Sequence, residues 1–163
     1  MSILVKRLHP LIGAEVTGVN LAEPIKRGTL ASIKAAWEEY GVILFPGQLI
    51  TDKQQVAFSR NFGELEIFPQ IDNRSAQIPE IFRITNIGAD NQIRPINTSS
   101  AKYSTLIWVW HTDSSYRSVP SKGAVLNAIE VVKNGGHTLF ANMYAAYEQM
   151  PSALKNRITG LKA

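Results

Sequence analysis

His111-Thr112-Asp113 is the stretch of this chain best suited to chemistry. One residue separates an imidazole from a carboxylate. On an extended backbone, side chains at i and i+2 leave the same face, so the two point together into one cavity. Such a pair supplies two of the three ligands of a two-histidine, one-carboxylate facial triad, which holds non-haem Fe(II) and leaves positions open for substrate and oxygen. A histidine beside an aspartate is also an ordinary hydrogen-bonded pair, and the spacing alone leaves both readings open.

Several elements must position this pair. The apolar run Leu106-Ile107-Trp108-Val109-Trp110 reads as a buried strand that delivers it, and Ser114 and Ser115 follow where the strand opens into a site. Residues 88–102 are polar and without periodicity. A loop of about 15 residues is commonly functional, and its place just before the pair favours a lid. Residues 80–87 alternate as a strand. Residues 124–132 are apolar and β-prone, Asn134-Gly135-Gly136 is a hairpin-turn signal, and His137-Thr138-Leu139-Phe140 is the return strand.

Earlier in the chain, residues 3–8 and 13–20 read as strands. Residues 29–40 read as a helix with Leu30, Ile33, Ala36, Trp37 and Tyr40 on one face, closed by Gly41. Val42-Ile43-Leu44-Phe45 reads as a strand buried on both faces. Thr51-Asp52-Lys53-Gln54 has the form of a capping box, opening a helix that Gly63 stops. Residues 144–160 read as helical, with Pro151 suited to a first turn. Strands outnumber helices, and the helices cluster at the two ends. That predicts an antiparallel sheet with helices on one side, a pattern compatible with a jelly-roll.

Composition narrows the function classes. The 163 residues make one domain, and 45% hydrophobic with 18% charged content is that of a soluble globular protein. The net charge of +4 is spread along the chain, with no basic run to favour nucleic acid. The absence of cysteine excludes disulfides, thiolate metal sites and a cysteine nucleophile. Residues 1–7 lack the apolar core of a signal peptide, and no stretch has the length of a membrane span. The expectation is a cytoplasmic protein with neither nucleic-acid nor membrane partners.

Taken together, the motifs resemble the taurine dioxygenase and 2,4-dichlorophenoxyacetate dioxygenase (TauD/TfdA) group of Fe(II)/2-oxoglutarate-dependent oxygenases. The resemblance runs in order from His9-Pro10-Leu11-Ile12-Gly13-Ala14-Glu15-Val16 through Val42-Ile43-Leu44-Phe45-Pro46-Gly47-Gln48 and Phe58-Ser59-Arg60-Asn61-Phe62-Gly63-Glu64-Leu65. It continues through Trp110-His111-Thr112-Asp113-Ser114-Ser115-Tyr116, Gly135-Gly136-His137-Thr138-Leu139-Phe140 and Ala145-Ala146-Tyr147-Glu148. It implies a mainly β fold with flanking helices, the double-stranded β-helix (jelly-roll, clavaminate synthase-like), here truncated. Residues 1–163 would be the N-terminal portion of a single dioxygenase domain. It implies His111 and Asp113 as catalytic iron ligands, and Thr138 as the hydroxyl that helps hold the distal carboxylate of 2-oxoglutarate. The implied cofactors are Fe(II) and 2-oxoglutarate as cosubstrate. The implied reaction uses O₂ to hydroxylate a small-molecule substrate, with release of succinate and CO₂.

The chain also departs from the family pattern. The second histidine ligand and the arginine for the distal carboxylate belong to the C-terminal half of that pattern and have no counterpart before Ala163. His137 reads as a solvent-facing turn residue. Phe68 stands where the taurine branch has its sulfonate-binding histidine, Ile71 and Gln92 where the herbicide branch has lysines, and Ile107 where both have an asparagine. Phe68, Ile107, Trp108 and Tyr116 are therefore the substrate-pocket candidates and suit a more apolar substrate, with Arg74, Arg94 and Lys102 available to an anion from the loops. Three readings follow: an oxygenase; a non-catalytic fragment or binding module of the same fold, lacking the third ligand; and a hydrolytic Zn²⁺ site. The open ligand position is also compatible with a homo-oligomer in which another subunit lends a residue.

Overall fold

The sheet forms where the N-terminal sequence alternates. In the computed structural model, which describes residues 2–68, 74–75, 77–88, 90–95, 97–98 and 109–161, β1 (Leu4–Arg7) pairs antiparallel with β2 (Ala14–Thr17). Ala14 and Val16 lie two apart and share a face. Both are fully buried, whereas Glu15 and Thr17 point the other way and stay half-buried. β3 (Ile43–Leu44) joins β2 through Ala14–Ile43 and Glu15–Leu44, giving the order β1-β2-β3.

The β2–β3 pair is parallel, which corrects the expected all-antiparallel sheet. Parallel neighbours need a crossover connection, and α1 (Arg27–Tyr40) provides it. α1 packs against β2 and β3 and buries Ile33 and Ala36, which with Ala14, Val16 and Leu21 make the core of this unit. Gly41 ends the helix at φ +70, its N–H donating to the Trp37 carbonyl at 2.8 Å. A side chain is strained at that φ, so glycine suits the position. β3 is not buried on both faces as expected: among the described residues it is one of the sheet's two edge strands, and Leu44 is half exposed. Gln48 then ties the chain back. Its side-chain Oε1 accepts from the Leu21 N–H at 2.9 Å, and its Nε2 donates to the Val19 carbonyl at 3.1 Å.

The chain divides into two compact units, Met1–Leu49 with Ile129–Ala163, and Ile50–Ala128. In the first, the helical region expected over 144–160 is two helices, α3 (Met143–Gln149) and α4 (Ser152–Ile158). They part at Pro151, which forces Met150 into an extended conformation (ψ 134) as residues before proline prefer. The Asn142 side chain caps α3 through the Ala145 N–H at 3.0 Å and donates to the Leu11 carbonyl at 2.5 Å.

In the second unit, α2 (Asp52–Ser59) begins with the expected capping box. The Thr51 hydroxyl accepts from the Gln54 N–H at 3.3 Å, and the Gln54 side chain accepts from the Thr51 N–H at 2.8 Å. A 3₁₀ turn, Arg60–Phe62, follows and stops at Gly63. Phe58 is buried beneath the edge-on Phe62 ring, 5.3 Å between centroids. Ion pairs Arg83–Asp52 (2.6 Å) and Arg60–Glu80 (2.7 Å) tie α2 and the 3₁₀ turn to residues 80–83.

Three expected strands are not formed among the described residues. Residues 80–87 make only the isolated bridges Arg74–Phe82 and Ile87–Ile93. Residues 124–132 and 137–140 have no ladder, and Leu126, Ile129, Val131, Val132, Leu139 and Phe140 are exposed. Gly135 and Gly136 do adopt the positive φ of a turn (+77 and +65), without paired strands on either side. A strand exists only as a hydrogen-bonded ladder, and β-prone sequence without a partner stays irregular. Most of the run 106–110 lies outside the described residues; its last two, Val109 and Trp110, are exposed rather than buried.

Ile33→Ala removes a large, fully buried side chain and is expected to cost roughly 2–5 kcal/mol. Leu44→Ala at the open edge is expected to stay within about 0.5 kcal/mol. Urea unfolding of both variants checks the contrast; equal losses would show that the core does not centre on α1 and β2.

Candidate metal centre

His111 and Asp113 meet as their spacing predicts, by a local route that differs from a simple strand. Residues 113–116 form a turn, closed by the Arg117 N–H donating to the Ser114 carbonyl at 3.1 Å. His111 Nε2 lies 3.3 Å from Asp113 Oδ1. The other ring nitrogen, Nδ1, is 2.8 Å from the Val109 carbonyl. A carbonyl oxygen only accepts, so the contact is a hydrogen bond in the tautomer that carries a proton on Nδ1, which leaves Nε2 as the nitrogen on the Asp113 side. Metal-binding imidazoles are commonly oriented in this way.

The donor geometry suits an ion. Two donors each about 2.1 Å from one metal at right angles are about 3 Å apart, a few tenths short of the spacing here. Both side chains are about half exposed, so the pair sits at the surface rather than in the closed cavity expected. Among the described residues no set of three His, Cys, Asp or Glu side chains is placed to hold a metal. His9 accepts from the Leu11 N–H within its own loop, and His137 is exposed. The residues present fit two-thirds of a facial triad.

The turn after Asp113 is held by a carboxylate the sequence reading passes over. Glu66 Oε2 accepts from Ser114 Oγ at 2.7 Å and from Ser121 Oγ. Its Oε1 takes Arg117 Nη1 at 2.8 Å and Tyr116 Oη at 3.4 Å. The carboxylate's four acceptor positions are thus all directed at residues 114–121. Ser114 is buried and left-handed, φ +56. That region costs a non-glycine residue roughly 1–2 kcal/mol, and strain of this kind gathers at functional sites. Hydrogen bonding from Ser121 outweighs the cost of partial burial and, with Ser114 and the Arg117 bond and charge, lowers the Glu66 carboxyl from 4.5 to about 2. The signal that could have revealed Glu66 is the density of donors in Ser114-Ser115-Tyr116-Arg117-Ser118, which calls for an acceptor from elsewhere in the chain.

The pocket candidates fare differently. Phe68 is half-buried and packs on Phe82, centroids 4.7 Å apart, while its carbonyl accepts from Arg74 at 3.4 Å. Tyr116 is exposed along its ring and turns its hydroxyl to Glu66. Ile107 and Trp108, with Ile71 and Lys102, lie outside the described residues. Gln92 and Arg94 belong to a small turn, Gly88 donating to the Gln92 carbonyl and Arg94 N–H to Asn86. Thr138 is exposed and belongs to the other compact unit.

An imidazole and a carboxylate brought together, in a chain carrying this order of motifs, point to a class, and comparison with known proteins gives the family. The family described as "Taurine catabolism dioxygenase TauD, TfdA family" matches residues 4–163, and the chain belongs to it. The alpha-ketoglutarate-dependent 2,4-dichlorophenoxyacetate dioxygenase of Cupriavidus pinatubonensis is 32% identical over 166 residues, covering 100% of this chain and 58% of that protein. The (S)-phenoxypropionate/alpha-ketoglutarate-dioxygenase of Sphingobium herbicidovorans is 39% identical, covering 96% and 50%. A crystal structure of AAD-2 in complex with Mn(II) and N-oxalylglycine superposes with a TM-score of 0.78 at 29% identity, covering 98% of this chain and 54% of that one. A taurine dioxygenase from Burkholderia xenovorans gives 0.75 at 29% identity, covering 98% and 52%. The chain shares the fold of the matching half of these two structures and spans about half the length of the curated relatives it matches.

The low pKa of Glu66 has a consequence for stability. As pH falls below 4.5, the unfolded chain takes up the proton before the folded one does, so the contribution of Glu66 is complete above about 4.5 and is lost on the way to about 2. The loss is expected to be on the order of 2 kcal/mol. Denaturant unfolding from pH 5 to 2 checks it: Glu66→Gln is expected to show a shallower fall than the parent chain, and parallel curves would remove Glu66 from the account.

Proposed function

We propose that this chain is the N-terminal portion of an Fe(II)- and 2-oxoglutarate-dependent dioxygenase that hydroxylates a small organic substrate with release of succinate and CO₂. The observation that carries the reading is the 3.3 Å approach of His111 Nε2 to Asp113 Oδ1, with Nδ1 pinned to the Val109 carbonyl. His111 and Asp113 would hold the iron, and the Thr138 hydroxyl would donate to the distal carboxylate of 2-oxoglutarate. The remaining histidine and the arginine would come from the part of the family pattern that this chain does not span, as would the strands that complete a double-stranded β-helix and cover residues 124–140. When bound, the iron and 2-oxoglutarate supply the activation of O₂.

The chain's own residues bear on substrate choice. Phe68, where the taurine branch carries a histidine, packs at a tilt on Phe82 and offers no donor to a sulfonate. That favours a substrate more apolar than taurine, and the named substrates of the herbicide relatives are aromatic acids. A second reading, a non-catalytic module of the same fold, is favoured by the lack of a third ligand among the described residues.

Anaerobic titration of the chain with Fe(II) and 2-oxoglutarate separates the two. The dioxygenase reading expects a visible charge-transfer band from the chelated complex, lost in His111→Ala. Folded protein that gives no band at saturating metal would make this chain the non-catalytic part of a longer enzyme or a relic of one, and the same titration of a protein spanning the whole family pattern then decides between them.

A further inference from the structure

We propose that Glu66 is the positioning residue for Asp113, holding the metal-ligating turn in place from 47 residues upstream. The inference rests on the reading of His111 and Asp113 as metal ligands. The two ligands are supported very differently. His111 has its own anchor, the Val109 carbonyl on Nδ1. Asp113 has none: among the described residues its carboxylate meets only His111, and its side chain is 62% exposed. What places it is the backbone that follows.

That backbone is the turn that opens with Asp113, and it contains the disfavoured left-handed Ser114. A four-residue turn would not keep Ser114 there unaided. Glu66 supplies the restraint by gripping both ends of the segment, Ser114, Tyr116 and Arg117 on one side and Ser121 on the other. Ser114 and Ser121 both donate to the same oxygen, which draws their hydroxyls to 3.2 Å. With the carboxylate gone, the buried Ser114 hydroxyl loses its acceptor and the reason to stay left-handed goes with it. Relaxation of Ser114 then frees Asp113 from its place opposite His111 Nε2. Among the described residues, the contacts of Glu66 are to Ser114, Tyr116, Arg117 and Ser121, not to His111 or Asp113. It acts through the turn, as the outer partners of metal ligands commonly do.

Two readouts on the full chain test this. The first needs no metal: hydrogen exchange at the Arg117 amide, which closes the turn, and along α2 as an internal reference. Glu66→Gln keeps the volume and is expected to speed exchange at Arg117 by about tenfold while α2 changes less than about twofold. Asp52→Asn, which breaks the Arg83 pair in the same unit, is expected to leave the Arg117 amide unchanged. The second is Co(II) affinity followed by its visible spectrum. Glu66→Gln is expected to weaken binding by about 10–100-fold, Asp52→Asn by less than twofold. Unchanged Arg117 exchange in Glu66→Gln, or equal acceleration throughout the unit, would overturn the proposal. So would Co(II) affinity equal to that of the parent chain. If the parent chain and His111→Ala both fail to bind Co(II), it is the metal reading that fails, and the Arg117 exchange still decides whether Glu66 holds the turn.

Discussion

A carboxylate has about four acceptor positions, and whatever donates to them is held in one arrangement. Glu66 fills all four from a segment of eight residues. His111 and Asp113 are both half exposed, and among the described residues the β-prone stretches 80–87 and 124–132 have no ladder. In place of a strand, the turn after Asp113 takes its shape from one ionised side chain. The arrangement is strong because several donors share one charge. It is also conditional, because it depends on that charge being present.

The N-terminal unit follows a different constraint, the pairing of backbone groups. Gly41 ends α1 at once, and the peptide groups of Gly13 and Ala14 reach Tyr40 and Val42 at 2.9 and 3.0 Å. Gln48 then uses its side-chain amide as a strand would use its backbone, accepting from Leu21 and donating to Val19. This explains the glutamine after Pro46-Gly47 in mechanical terms: both halves of the amide are needed.

What could be read from the sequence divides along the range of the interactions. Local rules worked. The Thr51–Gln54 capping box, Gly41 as a helix stop and the helical face of Ile33 and Ala36 are settled by residues within four positions of one another. The meeting of His111 and Asp113 is local too, and the ordered motifs carried the family. Rules that need a partner at a distance worked less well. Residues 80–87 and 124–140 have strand composition but no ladder among the described residues, and the parallel β2–β3 pair depends on a crossover that alternation does not reveal. Glu66 escaped for the same reason, since nothing near it in the chain hints at donors 48 to 55 residues away.

The placement of the first unit's core has a consequence in time. Its buried apolar side chains, Ala14, Val16, Leu21, Ile33 and Ala36, and every rung of its sheet, lie before residue 45. Short-range contacts form fast, and a chain made from its N-terminus exposes this stretch first. The three-stranded sheet and its helix can therefore assemble while His111 and Asp113 are still to be synthesised.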